Sequence, residues 1–277
     1  MHGLHARIPK HFVLEERLER YATAIEILPS HLAGQWAEAC YPLSPQGLGC
    51  FSQVWLDLGC GKGAFTCDMA RLHPDVLVVG IDSEPVCIAY AAQKACEAQL
   101  HNAVFVGGNA SKLSDYFAQG ELSRIYLNYP TPFPRKRDAL ARLTHAEKLM
   151  SYREVLAEHG TVIFRTDSQP LFDFSLTQVK AAGYTTLWTT DDVRSQLPDE
   201  PPTGYELRLT AQGAHVYGFE IAPGPAPEKI EQTAKMSLVD YLPEDLDHLS
   251  YIPHGMEGTV INIRNRRARM RNATAHA

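Results

Sequence analysis

From Val54 onward the chain alternates short, unbroken apolar runs with segments of helical spacing, and this alternation constrains the fold more than any other feature. The runs fall at residues 54–58, 76–81, 103–106, 125–128 and 162–166. Continuous apolar runs of this length suit strands buried on both faces of a parallel sheet. Helical patterns at 64–72, 86–100 and 146–158 separate them. Thr144 with Glu147 three residues later predicts a capping box for the last of these. Ser168 and Pro170 open a further helix that runs to Gly183, a C-terminal glycine. A β-α-β-α order means a doubly wound, mostly parallel α/β sheet. Residues 205–210 and 214–221 read as two more strands, paired as a hairpin across Ala211-Gln212-Gly213, which brings the sheet to seven strands and ends it antiparallel.

The flanks are less regular. Residues 12–27 look helical, and Pro42, Pro45, Gly47 and Gly49 then break the pattern. Residues 222–227, Ala-Pro-Gly-Pro-Ala-Pro, read as a semi-rigid linker. The expected division is an N-terminal helical segment at 1–50, a central domain at 51–222, and a linker with a basic C-terminal tail at 223–277.

The sharpest local signal is Asp57-Leu58-Gly59-Cys60-Gly61-Lys62-Gly63. A strand ends near an acid, and a glycine turn then opens a helix, which lets backbone approach a ligand closely. The spacing is neither that of a dinucleotide loop nor that of a phosphate-binding loop. An acid ahead of the glycines suits a cationic ligand and repels a pyrophosphate. S-adenosylmethionine, with an ammonium group and a sulfonium, meets that requirement. Asp82 ends the next strand, where a carboxylate accepts hydrogen bonds from ribose hydroxyls. Asn109 follows the third strand and is placed to read an adenine edge. The bland alternative is that Asp57 and Asp82 only cap turns.

Composition narrows the remaining classes. Hydrophobic residues form 45% of the chain and charged residues 21%, enough for a core without disulfide staples. Net charge is −6, so any RNA contact has to come from local basic patches. Cys40, Cys50, Cys60, Cys67, Cys87 and Cys96 show no C-x-x-C spacing, and they read as reduced thiols with no metal site. The apolar run at 76–81 is too short to cross a bilayer, and no secretory leader is visible, so a cytoplasmic location and no membrane partner are expected.

After the fourth strand comes Pro130-Thr131-Pro132-Phe133-Pro134-Arg135-Lys136-Arg137. Three prolines in five residues stiffen a loop at the edge where open α/β sheets bind ligands. Phe133 offers a surface for stacking a base, and Arg135, Lys136, Arg137 and Arg142 offer charge for phosphates. Asp167 ends the fifth strand at the same edge. A guanine presents N1–H and N2–H donors, and a carboxylate at Asp167 or Glu206 can accept both. The simpler readings are a solvated basic helix start, a helix cap at Asp167 and a solvated residue at Glu206. Arg264, Arg266, Arg267, Arg269 and Arg271 form a second basic cluster near the C-terminus, either an RNA-contacting arm or a solvated end.

These motifs, in this order, resemble the bacterial tRNA (guanine-N7-)-methyltransferase family. That family carries an acid-x-G-x-G-x-G loop, a P-D-P-W-P-K-basic loop, T-D after the fifth strand and T-x-x-E. Here they stand as Asp57 to Gly63, Pro130 to Arg137, Thr166-Asp167 and Thr203-Gly204-Tyr205-Glu206, over roughly residues 50–221. The resemblance implies a Rossmann-like class I S-adenosylmethionine-dependent methyltransferase that acts on the variable-loop guanine (position 46) of tRNA. It also implies that Asp57, Gly59, Gly61, Gly63, Asp82 and Asn109 contact the cofactor, and that Arg135, Asp167, Thr203 and Glu206 contact tRNA. The family's acid between the two prolines, with a role at the cofactor and in catalysis, is Thr131 here. Phe133 and Arg135 keep the aromatic and cationic character of their positions; Thr131 does not keep the charge, and Asp167 is the carboxylate left to serve catalysis. Two alternatives stand beside this. Asn128-Tyr129-Pro130 is loosely similar to the N-P-P-Y loop of amino-group methyltransferases, with one residue too many, and a noncatalytic RNA-binding relative would keep the same fold.

Overall fold

The computed structural model describes the backbone of residues 12–44, 50–247, 249 and 251–275, and side chains through residue 271. Seven strands form one sheet in the order β3-β2-β1-β4-β5-β7-β6. They are β1 Gln53–Leu58, β2 Val76–Asp82, β3 Ala103–Gly107, β4 Leu122–Asn128, β5 Leu156–Thr166, β6 Tyr184–Thr190 and β7 Tyr217–Pro223. The first five pair in parallel, and β7 runs antiparallel to both β5 and β6. Ten α-helices accompany them among the described residues. These are α1 Leu14–Arg20, α2 Trp36–Ala39, α3 Ala64–Leu72, α4 Pro85–Glu97, α5 Leu113–Tyr116, α6 Ala146–Val155, α7 Gln169–Ala181, α8 Val193–Gln196, α9 Gly204–Thr210 and α10 Glu257–Ala275.

Strand alternation divides the core between the two faces. Val54, Leu56 and Leu58 of β1 point into a layer with Leu149 and Tyr152 of α6 and Leu171 and Phe174 of α7. Trp55, on the other face, joins Phe65 and Met69 of α3 and Ile88 and Ala91 of α4. The strand order reverses between β1 and β4, so a crevice opens outside the carboxyl ends of these strands.

Five expectations need correction. Residues 205–210 form helix α9, not a strand. Thr203 accepts the Glu206 amide at 2.9 Å and starts the helix, and its buried positions, Glu206 and Leu209, are three apart. β7 therefore pairs with β6 rather than with a neighbouring hairpin strand. The N-terminal helix stops at Arg20, because Ile25 turns extended and bridges to Phe105 of β3. At α6 the cap is His145, whose Nδ1 accepts the Glu147 amide at 3.3 Å; Thr144 is buried and meets Ser175 Oγ at 2.6 Å instead. The 222–227 stretch is docked rather than a free spacer: Gly224 N–H donates to Gly183 O at 3.1 Å, and Arg153 Nη1 donates to Gly224 O at 2.8 Å. The C-terminal arginines lie on a helix, α10. Ser168 caps α7 as expected, and Gly183 beyond its end takes φ +64°. Among the described residues no helix is long and apolar enough to cross a membrane.

Candidate active site

The glycine turn between β1 and α3 places Gly59, Gly61 and Gly63 at φ +83°, +53° and +68°. Side chains disfavour this backbone region, which explains the residue type at all three positions. At Gly63 a Cβ would also sit 2.5 Å from that of Ala91, so α3 packs against α4 only because no side chain intervenes. The turn is held from the neighbouring strand. Asp82 Oδ2 accepts the Gly61 amide at 2.9 Å, and its Oδ1 accepts the Glu84 amide at 2.9 Å. Burial raises the Asp82 pKa, and these N–H donors work against that rise.

A cleft of about 370 Å³ lies over this turn. Gly59, Asp82, Asn109 and Thr131 line it, joined by Asn128, Tyr129 and Phe133. Asn109 Oδ1 accepts the Ser111 amide at 2.9 Å, which fixes its side chain at the rim. Asp57 does not line the cleft. It points to the α3 face, is 1% exposed, and accepts Thr66 Oγ1 at 2.6 Å and Asn128 Nδ2 at 3.2 Å. Burial pushes its carboxyl up to about 6, although both hydrogen bonds pull the other way. Asp57 thus braces Asn128, which does face the cleft and whose buried Oδ1 has no partner among the described residues.

A second pocket of about 190 Å³ adjoins the first. Tyr129, Pro130 and Thr131 belong to both. Asp167, Ser168, Tyr205, His254 and Gly255 complete it. Tyr129 and Phe133 bracket the shared loop at φ +48° and +46°, a conformation that costs free energy and is held by the surroundings. What holds it is Arg142. This residue is fully buried, its Nε donates to Pro132 O and Phe133 O at 3.1 and 3.2 Å, and its Nη2 donates to Phe133 O and Met236 O at 2.7 and 2.9 Å. Arg142 is therefore the loop's anchor, which overturns its reading as a phosphate contact. Arg135, Lys136 and Arg137 remain exposed.

Glu206 and Thr203 lie deeper than a solvated reading allows. Glu206 is 1% exposed, and its Oε1 is 2.6 Å from Arg194 Nε. Burial, with the Glu206 charge next, raises the Tyr129 phenol, so this carboxylate lies near one wall of the second pocket without lining it. Sequence reasoning gave no site role to Tyr205 or His254, and it reached Asn128 and Tyr129 only through the loose likeness to the N-P-P-Y loop. Asn128 and Tyr129 carried a signal, since they lead directly into the proline loop; Tyr205 and His254 carried none.

The comparisons accord with this geometry. A family described as a putative methyltransferase matches residues 52–219. The tRNA (guanine-N(7)-)-methyltransferase of Geobacillus kaustophilus (strain HTA426) is 33% identical over 212 residues, which is 76% of this chain and 94% of that protein. The enzyme of the same name from Exiguobacterium sibiricum is 36% identical over 194 residues, 69% of this chain and 87% of that protein. The crystal structure of the 16S rRNA methyltransferase KamB superposes with a TM-score of 0.50 at 18% identity, covering 63% of this chain and 89% of that one, a likeness of fold alone. Ordered motifs, a doubly wound sheet and extended similarity to these proteins agree, and the chain belongs to the tRNA (guanine-N7-)-methyltransferase family.

Proposed function

We propose that the protein transfers a methyl group from S-adenosylmethionine to N7 of a guanine in tRNA, the variable-loop guanine at position 46. The carrying observation is the pair of pockets that share the wall Tyr129-Pro130-Thr131. One chamber suits the cofactor and the other a base, with only this loop between them.

The first chamber fits S-adenosylmethionine by its polar groups. The glycine turn admits close approach of a ligand to backbone, and Asp82 and Asn109 stand at successive strand ends for the ribose and adenine. The unpaired Asn128 Oδ1 is an acceptor suited to an ammonium group. The cofactor supplies an electrophilic methyl on a sulfonium. Guanine N7 carries an outward lone pair and loses no proton on methylation, so a general base is not needed. The protein's task is alignment and exclusion of water, and aligned proximity lowers such barriers by roughly 7–11 kcal/mol. The product ring is cationic, and Asp167 is the carboxylate of the second pocket that offsets this charge. Arg135, Lys136 and Arg137, exposed beyond the loop, are placed for tRNA phosphates.

Thr131, exposed and on the shared wall, lacks the charge of the family's acid, which favours a second reading as a noncatalytic tRNA-binding relative. Mass spectrometry of tRNA incubated with the protein and isotopically labelled cofactor separates the two. We expect labelled 7-methylguanosine. Unmodified tRNA that still binds selects the second reading, and label on another base rejects both.

A further inference from the structure

The second pocket is not closed by the family's core. Two of its lining residues, His254 and Gly255, lie outside the matched span 52–219, in the segment 251–256. Tyr251 Oη donates to Asp167 Oδ2 at 2.6 Å, and the His254 amide donates to the same oxygen at 3.1 Å. The segment is seated rather than draped. Met256 is fully buried with its sulfur 3.4 Å from Ser168 Oγ, and the His254 ring meets Tyr205 edge-on at 6.0 Å. Gly255, at φ +81°, passes so close to Pro132 that a Cβ would lie 3.3 Å from its ring.

Two donors on Oδ2 occupy that oxygen. Oδ1 of Asp167 has no partner among the described residues, so one face of the carboxylate is fixed and the other is left for a donor arriving in the pocket. The pocket persists with the segment in place, which distinguishes a wall from a plug. Burial and the neighbouring Asp167 both raise the Tyr251 phenol, so it stays a neutral donor across the working pH range.

We propose that residues 251–256 are a built wall of the base pocket, and that Tyr251 is a positioning residue that orients Asp167 so that Oδ1 meets the N1–H and N2–H edge of guanine. This rests on the tRNA-guanine reading above. A hydrogen bond to a charged acceptor contributes enough for its loss to slow transfer about tenfold.

The test is a double-mutant cycle in single-turnover methylation of tRNA, with wild type, Tyr251→Phe, Asp167→Asn and the double variant, alongside calorimetric affinity for S-adenosylmethionine. We expect Tyr251→Phe to slow methylation about tenfold on the wild-type background and less than about twofold on the Asp167→Asn background, with cofactor affinity unchanged. Unchanged cofactor affinity also certifies that the variant is folded. A Tyr251→Phe variant as fast as wild type overturns the proposal. One faster than wild type does so too and marks the segment as a block. Equal losses on both backgrounds place the effect of Tyr251 elsewhere than Asp167. An inert wild type instead removes the tRNA-guanine reading beneath the proposal, an outcome recognisable before any variant is compared.

Discussion

Asn128 Nδ2 donates to Asp57 Oδ1 at 3.2 Å, which ties the wall of the larger cleft to a carboxylate buried beneath the glycine turn. Removing that carboxylate frees Asn128 and strips the partner from Thr66 at the start of α3. Asp57→Ala is expected to weaken S-adenosylmethionine binding by more than about tenfold, by titration calorimetry, although Asp57 itself does not line the cleft. Equal affinities would remove Asp57 from the binding machinery.

The same carboxyl makes stability depend on pH. Its folded-state pKa of about 6 stands above the ordinary 3.8, so the native state holds the proton more tightly than the unfolded chain. The sign follows: its stabilising contribution is complete below about pH 4 and is lost as pH rises through about 6. A shift of that size corresponds to about 3 kcal/mol. Wild type should therefore lose thermal stability relative to Asp57→Asn between pH 4 and 7, before the cofactor is added. A constant gap in melting temperature would contradict this.

Glu206 separates a structural role from a contact role. Its pairing with Arg194 is buried on the Glu206 side and 30% exposed on the other, so removing the carboxylate leaves a partly solvated cation behind. Glu206→Gln should cost roughly 1–2 kcal/mol in urea unfolding, between the values for exposed and fully buried pairs. Thr203→Ala, which removes the cap of α9, should cost about 1 kcal/mol. A Glu206→Gln protein of wild-type stability that no longer methylates tRNA would restore the direct contact that the family resemblance implies.

Thr131 belongs to both pockets, and Asp167 faces only the smaller one. If Asp167 supplies the charge that Thr131 lacks, Asp167→Asn slows single-turnover methylation on the order of 100-fold, while Thr131→Asp changes it only modestly. An inert wild type rescued by Thr131→Asp would identify Thr131 as a disabling change.

Helix α10 carries the last test. Arg264 and Arg267 donate to Leu246 O and Glu244 O, and Arg271 pairs with Asp247, so these three help hold the helix in place. Arg266 and Arg269 are exposed. Reversing both to Glu should weaken tRNA binding and lower the log–log salt slope by about 1–2. An unchanged slope assigns them to solvent.

The sequence was most legible where backbone geometry dictates residue type. Gly59, the proline loop and Asp82 line the larger cleft and Asp167 the smaller pocket, because short apolar runs in a parallel sheet leave little freedom in where strands end; Asp57, one position before the end of β1, turns to the other face. It misled at 205–210, where Tyr205, Leu207 and Leu209 alternate as in a strand. Leu207 is 57% exposed, and the Thr203 cap, together with burial at Glu206 and Leu209, decides for a helix. Strand β6 was missed because Thr-rich edge strands lack a continuous apolar run. Tyr251 meets Asp167 across 84 residues, and no local pattern encodes such a contact.

Arg142 joins three parts of the chain at one guanidinium: the proline loop through Pro132 and Phe133, residue 236 of the C-terminal region through its carbonyl, and α7 through the Phe174 ring. Burial lowers its pKa only to about 10, so it remains a cation. A buried charge that loses any one of these carbonyls is left short of a partner, so each attachment supports the other two. The loop that both pockets share and the chain at residue 236 thus hang on one side chain, and the two chambers and the C-terminal region have a single anchor in common.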